Sequence, residues 1–315
     1  MNLIVDRQTI CLIGGVLGML IVSTFGGSVL QKSAKTESAQ AVAKNMNVRI
    51  RAWWGMSAVL IASLLIGPIS TVVLFGLISF LALREFVTLT PTRLGDHRSL
   101  FWVFFVITPL QYALVGIEWY GLFSILIPVY SFLLLPTRSA IAGEPERFLE
   151  RTAAIQWGLM ICVYCVSHAP ALLSLKMPGY EGQNAKLLFY FVLVVQLSDV
   201  LQYVWGKSLG KTKIAPTVSP NKTWEGFIGG TACATVIGTA LWWATPFSPG
   251  QAALMSLVSV LMGFAGGLTM SAIKRDRGVK DYGVLIPGHG GVMDRIDSIC
   301  FAAPVFFHLT RYYFT

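Results

Sequence analysis

Residues 271–297 gather most of the chemistry that this chain could perform. In a sequence that is 55% apolar, the stretch holds five lysines or arginines, four aspartates and His289. Gly278, Gly283, Gly288, Gly290, Gly291 and Pro287 break it up, so its middle cannot be a regular helix. Glycines let backbone N–H groups approach a ligand closely, and Lys and Arg neutralise phosphate charge. Carboxylates beside those cations suggest a divalent metal that binds phosphate oxygens at the same time. A solvated basic loop would explain the cations, but not Asp294, Asp297 and the His289-Gly290-Gly291 run.

Asp294 and Asp297 are three residues apart at the predicted start of the last helix, which places both carboxylates on one face. Together they can hold one Mg²⁺ or a pair of cations, and the helix N-terminus beside Gly290-Gly291 favours nucleotide phosphate. Two upstream pieces belong with them. Asp199 sits inside an apolar run, where an acid costs about 2.5–3.5 kcal/mol at mid-membrane and less near the interface, so it should face a polar cavity. Gly206 to Lys213 sets two glycines among three lysines, a candidate phosphate cradle that does not meet the G-x-x-x-x-G-K-[ST] spacing. Ser219-Pro220 reads as a turn before a helix starting near Lys222, with Lys222 and Glu225 on one face of its first turn.

The elements that must position these groups are membrane helices. With 315 residues, net charge +9 and mean hydropathy +0.66, the chain reads as an all-α polytopic membrane protein of nine to ten spans, and nucleic acid is excluded as a partner. At about 20 apolar residues per crossing, spans are expected near 9–30, 53–67, 70–88, 99–117, 119–136, 151–174, 186–205, 226–246, 251–273 and 292–313. The first is read as a retained helix, since Asp6 lies beside Arg7 and no small-x-small cleavage site follows. Residues 31–51 read as an interfacial helix or a linker. Alternate loops carry 20 of the 24 lysines and arginines, which places those loops, and the chemistry in them, in the cytoplasm and both termini outside. All five cysteines lie in apolar runs, so Cys162-x-x-Cys165 reads as packing, and no disulfide is implied.

The pattern Ser271-x-Ile273-Lys274-Arg275-x4-Lys280-Asp281-x-Gly283-x2-Ile286-Pro287-x-His289-Gly290-Gly291-Val292-x-Asp294-Arg295-Ile296-Asp297 resembles the signature of the phosphatidate cytidylyltransferases, the CDP-diacylglycerol synthases. Asp199-x3-Tyr203-x2-Gly206-x3-Gly210 and Ser219-Pro220-x-Lys222-Thr223-x-Glu225-Gly226 resemble a second region of that family. The resemblance covers residues 198–297. It divides the chain into an added N-terminal helix and interfacial segment, 1–45, and a membrane cytidylyltransferase domain, 46–315. In that domain, scaffold helices run to about 185 and the catalytic region is 198–297.

The resemblance implies transfer of CMP from CTP to phosphatidate for phospholipid synthesis, at an integral membrane site facing the cytoplasm, in a bacterial inner membrane. It implies Mg²⁺ on Asp294 and Asp297, with a second cation as an option. Lys222 and Asp281 join those two acids as catalytic groups. Ser219, Lys222, Lys274, Arg275, Lys280, His289 and Arg295 are substrate-binding candidates. The chain departs from the family at Gly267 and Met270, where the family carries acids; Asp199, Asp276 or Asp281 could then serve the metal instead. The alternatives are a non-catalytic relative that partners another lipid enzyme, a CTP-dependent lipid-alcohol kinase and a transporter. A homodimer through the glycines of 226–230 is one option, and packing of those glycines within one chain is the other.

Overall fold

The computed structural model of the chain describes residues 6–33 and 36–315; residues 1–5 and 34–35, including Lys35 of the first basic loop, lie outside the described residues. Among the described residues, ten helical segments follow one another at the ten expected places. They are α1 (Arg7–Ser33), α2 (Glu37–Ile66), α3 (Pro68–Thr88), α4 (Leu94–Gly116), α5 (Tyr120–Ile141), α6 (Phe148–Ser174), α7 (Asn184–Leu209), α8 (Trp224–Ala240), α9 (Pro249–Asp276) and α10 (Met293–Phe314). Eight of them, all but α8 and α10, are long and apolar enough to cross a bilayer. α8 and α10 are instead packed against α7 and α9. The architecture is that of an all-α polytopic membrane protein.

Local sequence sets the helix ends. Gly67 (φ 137°) and Pro68 end α2 and start α3 in one step, because proline tolerates the first helical position and glycine the positive φ. Ser248 and Gln251 form a capping box at the start of α9. Two expectations change. Residues 37–51 are neither a linker nor a separate interfacial helix; they are the first turns of α2, which runs unbroken to Ile66. Ser219–Thr223 is not a turn leading into a helix. It forms β2, paired antiparallel with β1 (Lys213–Ala215), and α8 begins at Trp224 with Thr223 as its cap.

α7, α8, α9 and α10 form the closest-packed group. Glycines let them approach: a Cβ at Gly226 would lie 2.8 Å from the Gln202 carbonyl oxygen, and one at Gly230 would lie 2.5 Å from Gln202 Cα. The glycines of 226–230 that could have formed a dimer face are therefore engaged within the chain. α3–α6 complete the core, while α1 and α2 form an outer hairpin. Trp54 Nε1 donates to Thr24 Oγ1 (3.1 Å) across that hairpin, and the buried Lys186 of α7 holds Asp6 (2.6 Å) and Gln8 (2.7 Å).

Candidate functional site

The basic loops that the charge pattern assigns to one side of the membrane touch one another. Arg151 pairs with Asp96, Arg93 with Glu146, and Arg275 Nε donates to the Val218 carbonyl (3.3 Å). Between them the ends of α7, α9 and α10 converge with β2 on a cluster of charged groups. Asp199 comes from α7, Asp297 and Ser298 from α10, Lys222 from β2, and Lys274 and Gly267 from α9.

Asp294 and Asp297 share a helix face, as their spacing requires, but their carboxylates are engaged differently. Asp294 is buried and fully occupied. Its Oδ1 accepts from Lys274 Nζ (2.8 Å), and its Oδ2 accepts from the Tyr282 and Gly291 amides (2.8 and 3.0 Å). In this arrangement it shapes the 278–292 loop. Among the described residues Asp297 accepts only from the Ser298 amide at Oδ1 (2.9 Å), and Ser298 Oγ in turn donates to Asp199 Oδ2 (2.7 Å). Asp199 Oδ1 and Asp297 Oδ2 accept no hydrogen bond among the described residues. Ser298 thus joins two carboxylates, each with one oxygen left over. Of the carboxylates beside Asp297, Asp199 is the one with an uncommitted oxygen.

The position of Lys222 explains why Gly267 is tolerated. A Cβ at Gly267 would lie 3.0 Å from Lys222 Nζ, 3.7 Å from Ser298 Oγ and 3.9 Å from Asp297 Oδ2. The ammonium fills the space that a side chain at 267 would take, above the Phe264 ring at 4.5 Å. Burial pulls Lys222 below the ordinary lysine pKa against the opposing pull of Asp199 and Asp297, and Lys274 reinforces the lowering. Met270 is fully buried, and its carbonyl accepts from the Tyr282 hydroxyl (3.1 Å).

The last N-terminus, that of α10, carries a group that the sequence did not flag. Glu85 of α3 accepts from the Val292 and Met293 amides (3.0 and 2.9 Å), so a carboxylate already complements the helix dipole where phosphate was expected. Gly291 is required here, because its Cβ would lie 2.2 Å from Glu85 Oε2. The signal available in the sequence was a lone acid at the end of an apolar helix, in a region read as scaffold. The Gly206–Lys213 cradle is likewise filled: Glu225 accepts from the Lys211 and Thr212 amides (3.0 and 3.2 Å), and Gly210 is packed on the Gly206 carbonyl.

The remaining candidates surround the cluster. Arg275 Nη1 donates to the Val279 carbonyl (3.0 Å), and Lys280 and Asp281 are exposed on the loop. Ser219 opens β2. His289 lies in a turn closed by the Ile286 amide on the Gly290 carbonyl (2.8 Å); its ring meets Trp53 edge-on at 6.2 Å. Burial, and then Arg295 and Arg49 as like charges, lower its pKa to about 4, with the Pro287 backbone opposing them, so the ring is neutral near pH 7.

Mg²⁺ typically takes one or two carboxylates and completes its shell with water and substrate phosphate. The uncommitted oxygens of Asp199 and Asp297 fit that pattern. Among the described residues no three carboxylate, histidine or cysteine side chains converge to hold a metal by themselves, so nucleotide oxygens would have to contribute.

The structure thus sets a charged site at one end of a bundle of membrane-type helices. The cytidylyltransferase family profile matches residues 47–313, and the chain belongs to that family. It is 43% identical over 272 residues to the uncharacterized protein YnbB of Escherichia coli, covering 85% of this chain and 88% of that one. It is 42% identical over 130 residues to a phosphatidate cytidylyltransferase of Staphylococcus aureus, covering 40% of this chain and 50% of the relative. A phosphatidate cytidylyltransferase of Mycobacterium leprae is 40% identical over 171 residues, covering 54% and 53%. The chain thus spans about half the length of these two named relatives.

Proposed function

We propose that this protein transfers CMP from CTP to phosphatidate, giving CDP-diacylglycerol and pyrophosphate, at the cytoplasmic face of a bacterial inner membrane. The observation that carries the reading is the Asp199–Ser298–Asp297 array beside Lys222, inside the segment that matches the family. Two uncommitted carboxylate oxygens and an ammonium that forms no ion pair within 4 Å among the described residues suit a metal-bound phosphate better than they suit one another.

In the reaction an oxygen of the phosphatidate phosphate forms a bond to the α-phosphorus of CTP as the bond to the bridging oxygen of pyrophosphate breaks. A phosphate monoester is already ionised at neutral pH, so no strong general base is needed. In-line displacement requires charge neutralisation and positioning. Mg²⁺ held by Asp199 and Asp297 would supply Lewis-acid charge at the phosphates. Lys222 and Lys274 neutralise phosphate oxygens from the other side. Asp294 keeps Lys274 and the loop in place, and Arg275 and Lys280 stand where the triphosphate enters from water. Glu85 fixes the start of α10, and with it the direction of Asp297.

The test uses purified protein in detergent with phosphatidate, Mg²⁺ and CTP labelled at the α-phosphorus. Label is expected in the lipid phase, and it is expected to vanish in Asp297→Asn. A folded sample that moves no label to lipid with either Mg²⁺ or Mn²⁺ overturns the proposal. A non-catalytic relative would then be the reading left, and the glycine at 267, with Lys222 filling its space, is the observation in its favour. Label retained as free CDP with a phosphorylated lipid alcohol would identify a lipid kinase.

A further inference from the structure

The turn that carries His289 rests on α2, a helix outside the region that the sequence marks as catalytic. A Cβ at Gly288 would lie 2.9 Å from Val48 Cγ1 and 3.5 Å from Arg49 Cγ, and His289 meets Trp53 one helical turn further on. Gly288 (φ 74°) therefore serves both the turn and its close approach to α2. The stem of Arg49 lies along the turn, and its head is exposed, with no hydrogen bond or ion pair among the described residues.

Two further nitrogens at this place lack partners. His289 is only 7% exposed, and its Nδ1 is buried without a hydrogen bond among the described residues. Arg295 Nε is buried and unpartnered in the same way. Buried polar groups are almost always satisfied, so unsatisfied ones that cluster call for a ligand or water. Arg295 directly follows Asp294 on α10, and a Cβ at Gly290 would lie 2.8 Å from Asp294 Oδ2, so the start of α10 that carries Arg295 adjoins this turn. Three carboxylates lie beside this turn: Asp294 and Glu85 are already taken up by Lys274 and by backbone amides, and Asp281, next to Gly290, is exposed.

Height in the bilayer identifies the anion. Trp53 and Trp54 are neighbours on α2, and Lys44, Arg49 and Arg51 lie on its polar end. Tryptophans and basic residues in that order mark the level of lipid headgroups. The Asp199–Asp297–Lys222 cluster is reached from α7, α9 and β2, and it adjoins this place through Arg295, two positions before Asp297 on α10.

We infer that Arg49, with His289 and Arg295, forms a binding site for the phosphate monoester of a lipid, on the α2 side of the carboxylate cluster that receives the nucleotide. The site accounts for two unpartnered buried nitrogens and gives α2 a part in substrate selection. It rests on the proposed transfer only for the identity of the lipid as a substrate. Binding can therefore be read without turnover.

The experiment measures binding of short-chain phosphatidate, short-chain phosphatidylcholine, inorganic phosphate and CTP to the full chain in detergent, for the wild type and for Arg49→Met and Arg49→Lys. The wild type is expected to bind phosphatidate at least about tenfold more tightly than the other lipid or free phosphate. Arg49→Met is expected to lose about tenfold in phosphatidate affinity with CTP binding unchanged, and Arg49→Lys to recover part of the loss. In turnover the same variant should raise KM for the lipid alone. Free phosphate that binds as tightly as the lipid, CTP affinity that falls in place of lipid affinity, or no change in Arg49→Met each overturns the inference. Lipid binding that depends on Arg49 in a protein that transfers no CMP sustains the site and sinks the reaction instead.

Discussion

Asp96 with Arg151 in the scaffold half, and Asp199 with Asp297 and Lys222 in the other, are charges largely removed from water near the same end of the molecule, yet they are arranged in opposite ways. Arg151 (2% exposed) pairs with Asp96 (0%) at 2.8 Å and spends its remaining donors on the Glu144 and Glu146 carbonyls. Asp96 also accepts from the Arg93 amide (3.0 Å). Opposite charges meet there, and a single carboxylate oxygen, Asp96 Oδ1, is left over. In the second cluster two like charges are linked by Ser298 while the lysine stands off. The first arrangement ties the 93–97 loop to α6. The second leaves two carboxylate oxygens and an ammonium without a hydrogen bond or ion pair among the described residues.

That contrast can be broken from either side. Asp297→Asn should have the largest effect, a loss of about 10³-fold in kcat/KM for lipid labelling, because it removes the charge that the proposed metal and nucleotide would meet. Its melting temperature should stay close to that of the wild type. Arg151→Met should do the reverse. Leaving Asp96 buried and unpaired is expected to cost about 3–5 kcal/mol, read as a lowered unfolding midpoint in detergent, with KM values unchanged in the folded fraction.

Smaller effects sharpen the comparison. Glu85→Gln keeps the shape but weakens the cap on α10. It should cost about 1 kcal/mol and also lower kcat, because Asp297 rides on that helix. Asp6→Asn should show the weakest effect, and a pH-dependent one. Burial pushes the Asp6 carboxyl up, but the Lys186 hydrogen bond and the Thr9 amide outweigh it and hold the pKa down to about 2. A depressed carboxylate contributes stability above its unfolded pKa of about 4 and loses it as pH falls through about 2. The difference in thermal stability between wild type and Asp6→Asn should therefore be full at pH 5 and close toward about pH 2.

Much of this is legible in the sequence alone. Helix positions followed from apolar run length, because a bilayer admits few solutions. The proximity of Lys222, Lys274, Asp294 and Asp297 followed from motifs whose mixed charges make no sense apart. What stayed hidden was the division of labour among the acids. Asp294 and Asp297 look equivalent three residues apart, and only the return of the 278–292 loop commits the first of them to Lys274 and two amides. Asp199 is 98 positions from Asp297, and nothing in either segment announces that Ser298 joins them. Glu85 and Arg49 are hidden for the same reason: each is one ordinary charge on a helix, and only the fold sets Glu85 against the start of α10 and Arg49 against the Gly288 turn.

The sequence by itself determined that this chain lives in a membrane, in which order its helices run, and which loops hold its charges, because hydropathy and charge bias act locally along the chain. The tertiary structure alone decided which carboxylate oxygens remain uncommitted, that an ammonium fills the space beside Gly267, and that α2 and α3 reach the site. Those outcomes depend on distances between residues far apart in sequence, and only packing sets such distances.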